Sequence, residues 1–119
     1  MSAVESRNIE EPHETRPFHA HGRMDVVTLG EFTIGKGTFE PGWRWSEDVK
    51  PIAGTVSCQV LHTGYVLSGT MAIRMDDATE LTISAGDVVR IEPGHDAWVV
   101  GDEPCILLDT GVAGYAKPQ

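Results

Sequence analysis

Nothing in this chain gives a bilayer a place to hold: no apolar run approaches the ~20 residues that a membrane-spanning helix needs. Positive charge is scarce as well. Nine lysines and arginines face 18 aspartates and glutamates, a formal net charge of −9. That balance repels nucleic acid and anionic lipid surfaces, so neither is expected as a partner. The opening MSAVESRNIEEPHE has no apolar stretch, so no secretory signal is expected. Cysteine is nearly absent. Cys58 and Cys105 lie far apart and read as reduced thiols rather than a disulfide, which together with the missing signal predicts a cytoplasmic location. There is no internal repeat, no long helical periodicity and no Ser-His-Asp order around an elbow-like turn. Gly35-Lys36-Gly37 lacks the strand–loop–helix setting of a phosphate-binding loop.

What the chain does have is turns. Its 13 glycines and seven prolines, spread over 119 residues without low-complexity runs, suit one turn-rich β domain with a single core. Residues 1–22 are charged and non-periodic and read as a polar N-terminal arm, leaving 23–119 as the folded domain. Residues 24–29 and 31–40 read as the first strands, with Gly35 and Gly37 suggesting a bulge or a close backbone approach. From 64 to 95 short strands follow one another. Met71, Ile73 and Met75 alternate with Ala72, Arg74 and Asp76, and Leu81 and Ile83 share a face beyond an Asp-Asp-Ala-Thr turn. Gly69, Gly86 and Gly94 stand where strands must bend. Residues 98–100 and 106–108 are further strand-length apolar runs.

The stretch GYVLSGTMAIRMDDATELTISAGDVVRIEPGH resembles the cupins, and the resemblance extends over roughly residues 38–110. It implies an all-β, double-stranded β-helix (jelly-roll) barrel whose two short motifs supply metal ligands to the interior. Gly69 matches the glycine of the first motif, His62 stands at its glutamate, Cys58 at its second histidine and Val56 at its first. In the second motif Gly86-Asp87 and Gly94 match, Glu92-Pro93 shifts the proline by one, and Ala97 falls at the third histidine, with His95 two positions earlier. The resemblance also implies a homodimer, as do edge strands that need covering.

Cys58, His62 and His95 are therefore the candidate metal ligands. A thiolate and two imidazoles suit zinc, iron, copper or nickel, and three protein ligands leave a position open. The competing reading is a barrel that has lost its metal and keeps these side chains as buried, hydrogen-bonded residues. A Cys58 nucleophile activated by His62 is a third. Trp43, Trp45 and Trp98 are candidate substrate-binding residues, since flat indoles with one N–H each suit the mouth of a cavity. Trp43 and Trp45 share strand parity, which turns Arg44 the other way. His13, His19 and His21 read as surface residues of the arm. Two functions follow: a metal-dependent enzyme on a small organic molecule, with oxygenase, isomerase, decarboxylase and lyase chemistry all open, or a non-catalytic barrel that binds or senses a small molecule.

Overall fold

A computed structural model of the protein describes residues 3–118. Nine strands run through it: β1 (Glu14–Pro17), β2 (Gly22–Leu29), β3 (Phe32–Phe39), β4 (His62–Ser68), β5 (Thr70–Met75), β6 (Glu80–Ser84), β7 (Val88–Ile91), β8 (His95–Val99) and β9 (Cys105–Asp109). Two single-turn helices, α1 (Trp45–Asp48) and α2 (Lys50–Ala53), fill the link between β3 and β4. The strands form a six-stranded sheet in the order β1-β2-β3-β9-β4-β7 and a three-stranded sheet in the order β6-β5-β8. Every pairing is antiparallel. This is an all-β double-stranded β-helix, as the resemblance implies.

The inward faces alternate most clearly in the strands that carry the site. In β8 and β9 every second residue is buried: His95, Ala97 and Val99, then Cys105, Leu107 and Asp109. Between the sheets lies an apolar core built on Met24, Phe39, Trp43, Trp45, Val66 and Leu107. Its aromatic centre is Phe39, whose ring lies 4.6 Å from Trp43 and 5.3 Å from Phe18. Gly35 and Gly37 face this core with no break in the register of β3. They are there for close approach and not for a bulge, because a Cβ on Gly35 would come within 2.7 Å of Met24 and Val112. The bulge sits in β4 instead, between Val66 and Ser68. Leu81, which shares its strand face with the buried Ile83 on the edge strand β6, is exposed.

The stretch read as a polar arm contains a strand. β1 pairs with β2 along its whole length, and both Arg16 and Phe18 are buried. Alternating charge at Glu14 and Arg16 reads as solvated chain, yet the Arg16 guanidinium turns inward and is used there. It donates to the carbonyls of Val112 (2.5 Å) and Tyr115 (2.9 Å), and to Glu14 (2.9 Å). Residues 112–116 are thereby tied across the barrel, with Val112, Tyr115 and Ala116 buried. Hydrogen bonds from a charged donor contribute ~1.5–3 kcal/mol each. Arg16→Met, which keeps the stem and drops all three bonds, is expected to raise the alkylation rate of Cys58 in metal-free protein by about tenfold or more. An unchanged rate would mean that this segment does not govern access.

Candidate metal centre

His62 opens β4, and its inward side chain is 6 % exposed. Cys58 lies four residues earlier, bridged to β8 by Cys58 N–H donating to His95 O (2.8 Å). That bridge carries Cys58 and His95 to the same place from distant parts of the sequence. The three donor atoms, one from each of Cys58, His62 and His95, lie within 4.8 Å of one another, and all three residues are buried. Cys58 Sγ is 3.6 Å from His62 Nε2. A tetrahedral ion at ~2.3 Å from sulfur and ~2.1 Å from nitrogen places such a pair roughly 3.6 Å apart, so the spacing and the donor types fit a metal.

Each imidazole is oriented by its other nitrogen. His62 Nδ1–H donates to Asp109 Oδ2, a carboxylate 1 % exposed on β9. His95 Nδ1–H donates to the carbonyl of Glu92 (2.7 Å), which leaves Nε2 for the centre. Carboxylates and carbonyls that hold ligand histidines in this way fix tautomer and ring direction and raise ligand basicity. Asp109 is itself held, since its Oδ1 accepts from Gly111 N–H at 2.8 Å.

Two glycines make this contact possible. Gly64 pairs with Asp109 in the β4–β9 ladder, and a Cβ there would lie 1.9 Å from Leu108 O. A Cβ on Gly111 would lie 1.9 Å from Leu61 O and 3.2 Å from His62 Cα. Gly111→Ala must therefore push the Asp109 strand away from His62. Metal affinity in this variant is expected to fall about 10–100-fold, the range seen when a ligand's outer partner is lost. Wild-type affinity would show that the approach is not needed.

Electrostatics sort the group further. Burial pushes the Cys58 thiol up, but hydrogen bonds and charge from His62 and His95 outweigh it and bring the thiol down to about 6. Burial opposes charge on His62, yet Asp109, with Cys58 behind it, raises the imidazole to about 9. Without a metal, the pair is a thiolate beside an imidazolium near neutral pH. Cys105, which has burial and no such neighbour, is pushed up to about 11. Tyr115 lies edge-on over His62 at 4.9 Å and is raised well above its ordinary value, by burial first and then by the charge of Cys58 and Asp109.

The chamber at the centre is small, about 20 Å³, walled by His62, His95, Asp109, Tyr115 and the indoles of Trp43 and Trp45 among apolar side chains. That volume admits one water-sized molecule. A family model for the Cupin domain matches residues 59–111, a span that includes His62, His95 and Asp109. Over that span the chain is similar to the cupins, and it shares their double-stranded β-helix fold.

Solved structures agree on the fold. A Cupin 2 conserved barrel domain protein from Salinispora arenicola superposes with a TM-score of 0.61 at 17% identity, covering 91% of this chain and 87% of that one. An uncharacterized conserved protein with a double-stranded β-helix domain from Klebsiella pneumoniae gives 0.59 at 24% identity, over 100% and 99%. An RmlC-like cupin from Shewanella frigidimarina gives 0.61 at 14%, over 93% and 94%. Among curated proteins, an isoaspartyl peptidase/L-asparaginase from Danio rerio is 34% identical over 73 residues, 61% of this chain. The chain spans 20% of that relative's length.

Measured against the cupin motifs, the departures have structural sense. Val56 is 86 % exposed, so the position of the first histidine lies outside the barrel here. Ala97 does face inward, and His95, two residues back on the same face of β8, supplies the imidazole in its place. Trp98 separates from the other two indoles: its ring is on the outer face of β8, under the Arg44 guanidinium at 4.5 Å. The arm histidines stay out of the centre. His21 Nδ1 pairs with Asp48 (3.0 Å), His13 Nδ1 accepts from Thr28 N–H (3.1 Å), and the His19 backbone N–H donates to Asp48 O (2.7 Å). Asp109 and Tyr115 join the site without a motif to announce them. The available signal is a carboxylate at the inward parity of an otherwise apolar strand.

Proposed function

We propose that this cupin-like barrel is a metal-dependent enzyme acting on a small organic molecule, with one transition metal held by Cys58 Sγ, His62 Nε2 and His95 Nε2. The convergence of these three buried donors carries the reading. Zinc, iron, copper and nickel all accept this donor set. When bound, the ion would supply Lewis acidity and one open position. The chain's own residues do the rest: Asp109 and the Glu92 carbonyl aim the imidazoles, Tyr115 covers the chamber, and Ile73 and Ile91 exclude water from its side.

A chamber of about 20 Å³ has no room for an organic substrate, but a groove of about 580 Å³ lies next to it, between the sheet-edge strands β6 and β7. Ile73 and Ile91 line both. The groove is of ligand size, and its apolar floor with charged residues at Glu80, Arg90 and Glu92 suits a small, largely apolar molecule whose reacting end passes that wall. The same groove supports the second reading, a non-catalytic barrel that binds its ligand outside a metal-free core. The line Cys58–His62–Asp109 also sets a nucleophile, a base and an orienting acid in order. His95 beside the sulfur and the closed chamber favour a metal over covalent chemistry there. A cytoplasmic homodimer belongs to the proposal too: both cysteines are free, and β1, β7, β6 and β8 end the two sheets. No helix among the described residues is long and apolar enough to cross a membrane.

The deciding experiment loads the protein with cobalt and follows its absorption spectrum. A thiolate-to-cobalt charge-transfer band, with ligand-field bands that shift when azide is added, is the expected result: Cys58 ligation and an open position. A spectrum identical to free cobalt rejects the metal centre, and a band insensitive to azide leaves a closed, non-catalytic site.

A further inference from the structure

Three side-chain polar atoms among the described residues are buried without a hydrogen-bond partner: Arg16 Nε, Trp43 Nε1 and Trp45 Nε1. Two of the three belong to side chains that wall the metal chamber. Trp43 is 2 % exposed and Trp45 1 %, so water outside the barrel does not serve them. A buried N–H with no acceptor costs the donor its full desolvation, and proteins seldom leave two such groups around one cavity without a use.

The local chain shows that both indoles are placed and not merely stranded. Trp43 O accepts from Val99 N–H (3.0 Å), and Trp45 O accepts from Val49 N–H (3.0 Å), anchoring one residue to β8 and the other to α1. Between them Arg44 turns outward over Trp98 and towards Asp96 (3.7 Å). The Trp-Arg-Trp alternation therefore sends two indoles inward and the cation out. Among the described residues, no protein acceptor in the chamber pairs with either indole N–H. Asp109 Oδ2 is taken by His62 and Oδ1 by Gly111, and much of the remaining wall is Phe39, Met71, Ile73, Ile91, Ala97 and Leu107.

We propose that Trp43 and Trp45 form a pair of N–H donors for the oxygen of the one water-sized ligand, water or hydroxide, that fills the chamber beside the ion held by Cys58, His62 and His95. The inference rests on the metal reading above for the ion, and on the two orphaned donors for the oxygen. The tryptophans thereby gain a specific role, because two donors favour an oxygen carrying negative charge over a neutral, apolar occupant. It also separates them from Trp98, whose ring lies outside the barrel and which takes no part.

Protein labelled with nitrogen-15 at tryptophan tests this, titrated with zinc and followed through its three indole N–H resonances, Trp98 serving as the internal reference. Zinc binding is expected to move the Trp43 and Trp45 indole protons downfield and to slow their exchange with solvent roughly five- to tenfold, while Trp98 stays in place. Zinc that binds with the Trp43 and Trp45 resonances and exchange rates unmoved overturns the donor pair and leaves the metal centre standing. Zinc that does not bind overturns both.

Discussion

Cys58→Ala is expected to turn a protein that keeps about one metal per chain into one that keeps almost none. Structural zinc sites bind with apparent free energies of about 10–16 kcal/mol over four ligands, so one thiolate accounts for ~3 kcal/mol or more, two to three powers of ten in affinity. The barrel itself has little reason to fail, because Cys58 is a small side chain and its backbone bridge to His95 remains. Competition against a chromophoric chelator reads the loss. Wild-type affinity in the variant would remove Cys58 from the site. The same titration carries a pH signature. Between about 6 and about 9 the metal-free centre holds one proton, on His62, that a cation must displace. Affinity should fall about tenfold per pH unit as pH drops through that window, and more steeply below it, where the thiol is protonated as well.

His62→Ala is expected to be the most damaging single change for the metal-free fold. Asp109 would keep only the Gly111 N–H while 1 % exposed, a buried carboxylate without its partner. Removing one side of such a pair costs about 3–5 kcal/mol. At ~4 °C per kcal/mol for a domain of this size, Tm should drop roughly 12–20 °C. Adding Asp109→Ala should recover part of the loss, since the double variant has no charge left to bury. Strictly additive effects of the two changes would mean that the residues do not hold each other.

The pH course of the metal-free fold follows from the same groups. His62, raised to about 9, contributes fully below its ordinary 6.5 and loses that contribution as pH rises through about 9. Cys58, lowered to about 6, contributes fully above its ordinary 9.0 and loses it as pH falls through about 6. The two slopes oppose each other, so wild-type stability should be nearly flat between about 6.5 and 9.

The barrel was legible because its punctuation is local. Gly69, Gly86 and Gly94 all adopt positive φ, between 80° and 94°, at the corners where the strand pattern breaks. Alternation of apolar residues marked the strands between them. The metal candidates were legible only through resemblance, because nothing in the spacing of Cys58, His62 and His95 says that a backbone bridge joins residue 58 to residue 95. Charge misled where it was buried. Arg16 lies in the stretch read as a polar arm and Asp109 in no motif, and both are inward: one ties down residues 112–116 and the other aims His62. Trp98 misled in the opposite sense, a large aromatic on the outer face of its strand, covered by Arg44.

The most direct test of the metal centre is elemental analysis of the protein purified without affinity tag or chelator, expressed as metal per chain. Close to one equivalent of zinc, iron, copper or nickel, lost in Cys58→Ala, is the expected result. Clearly substoichiometric metal that persists after reconstitution would contradict it, and would leave Cys58, His62 and His95 as the buried remnant of a site in a barrel that binds its ligand elsewhere.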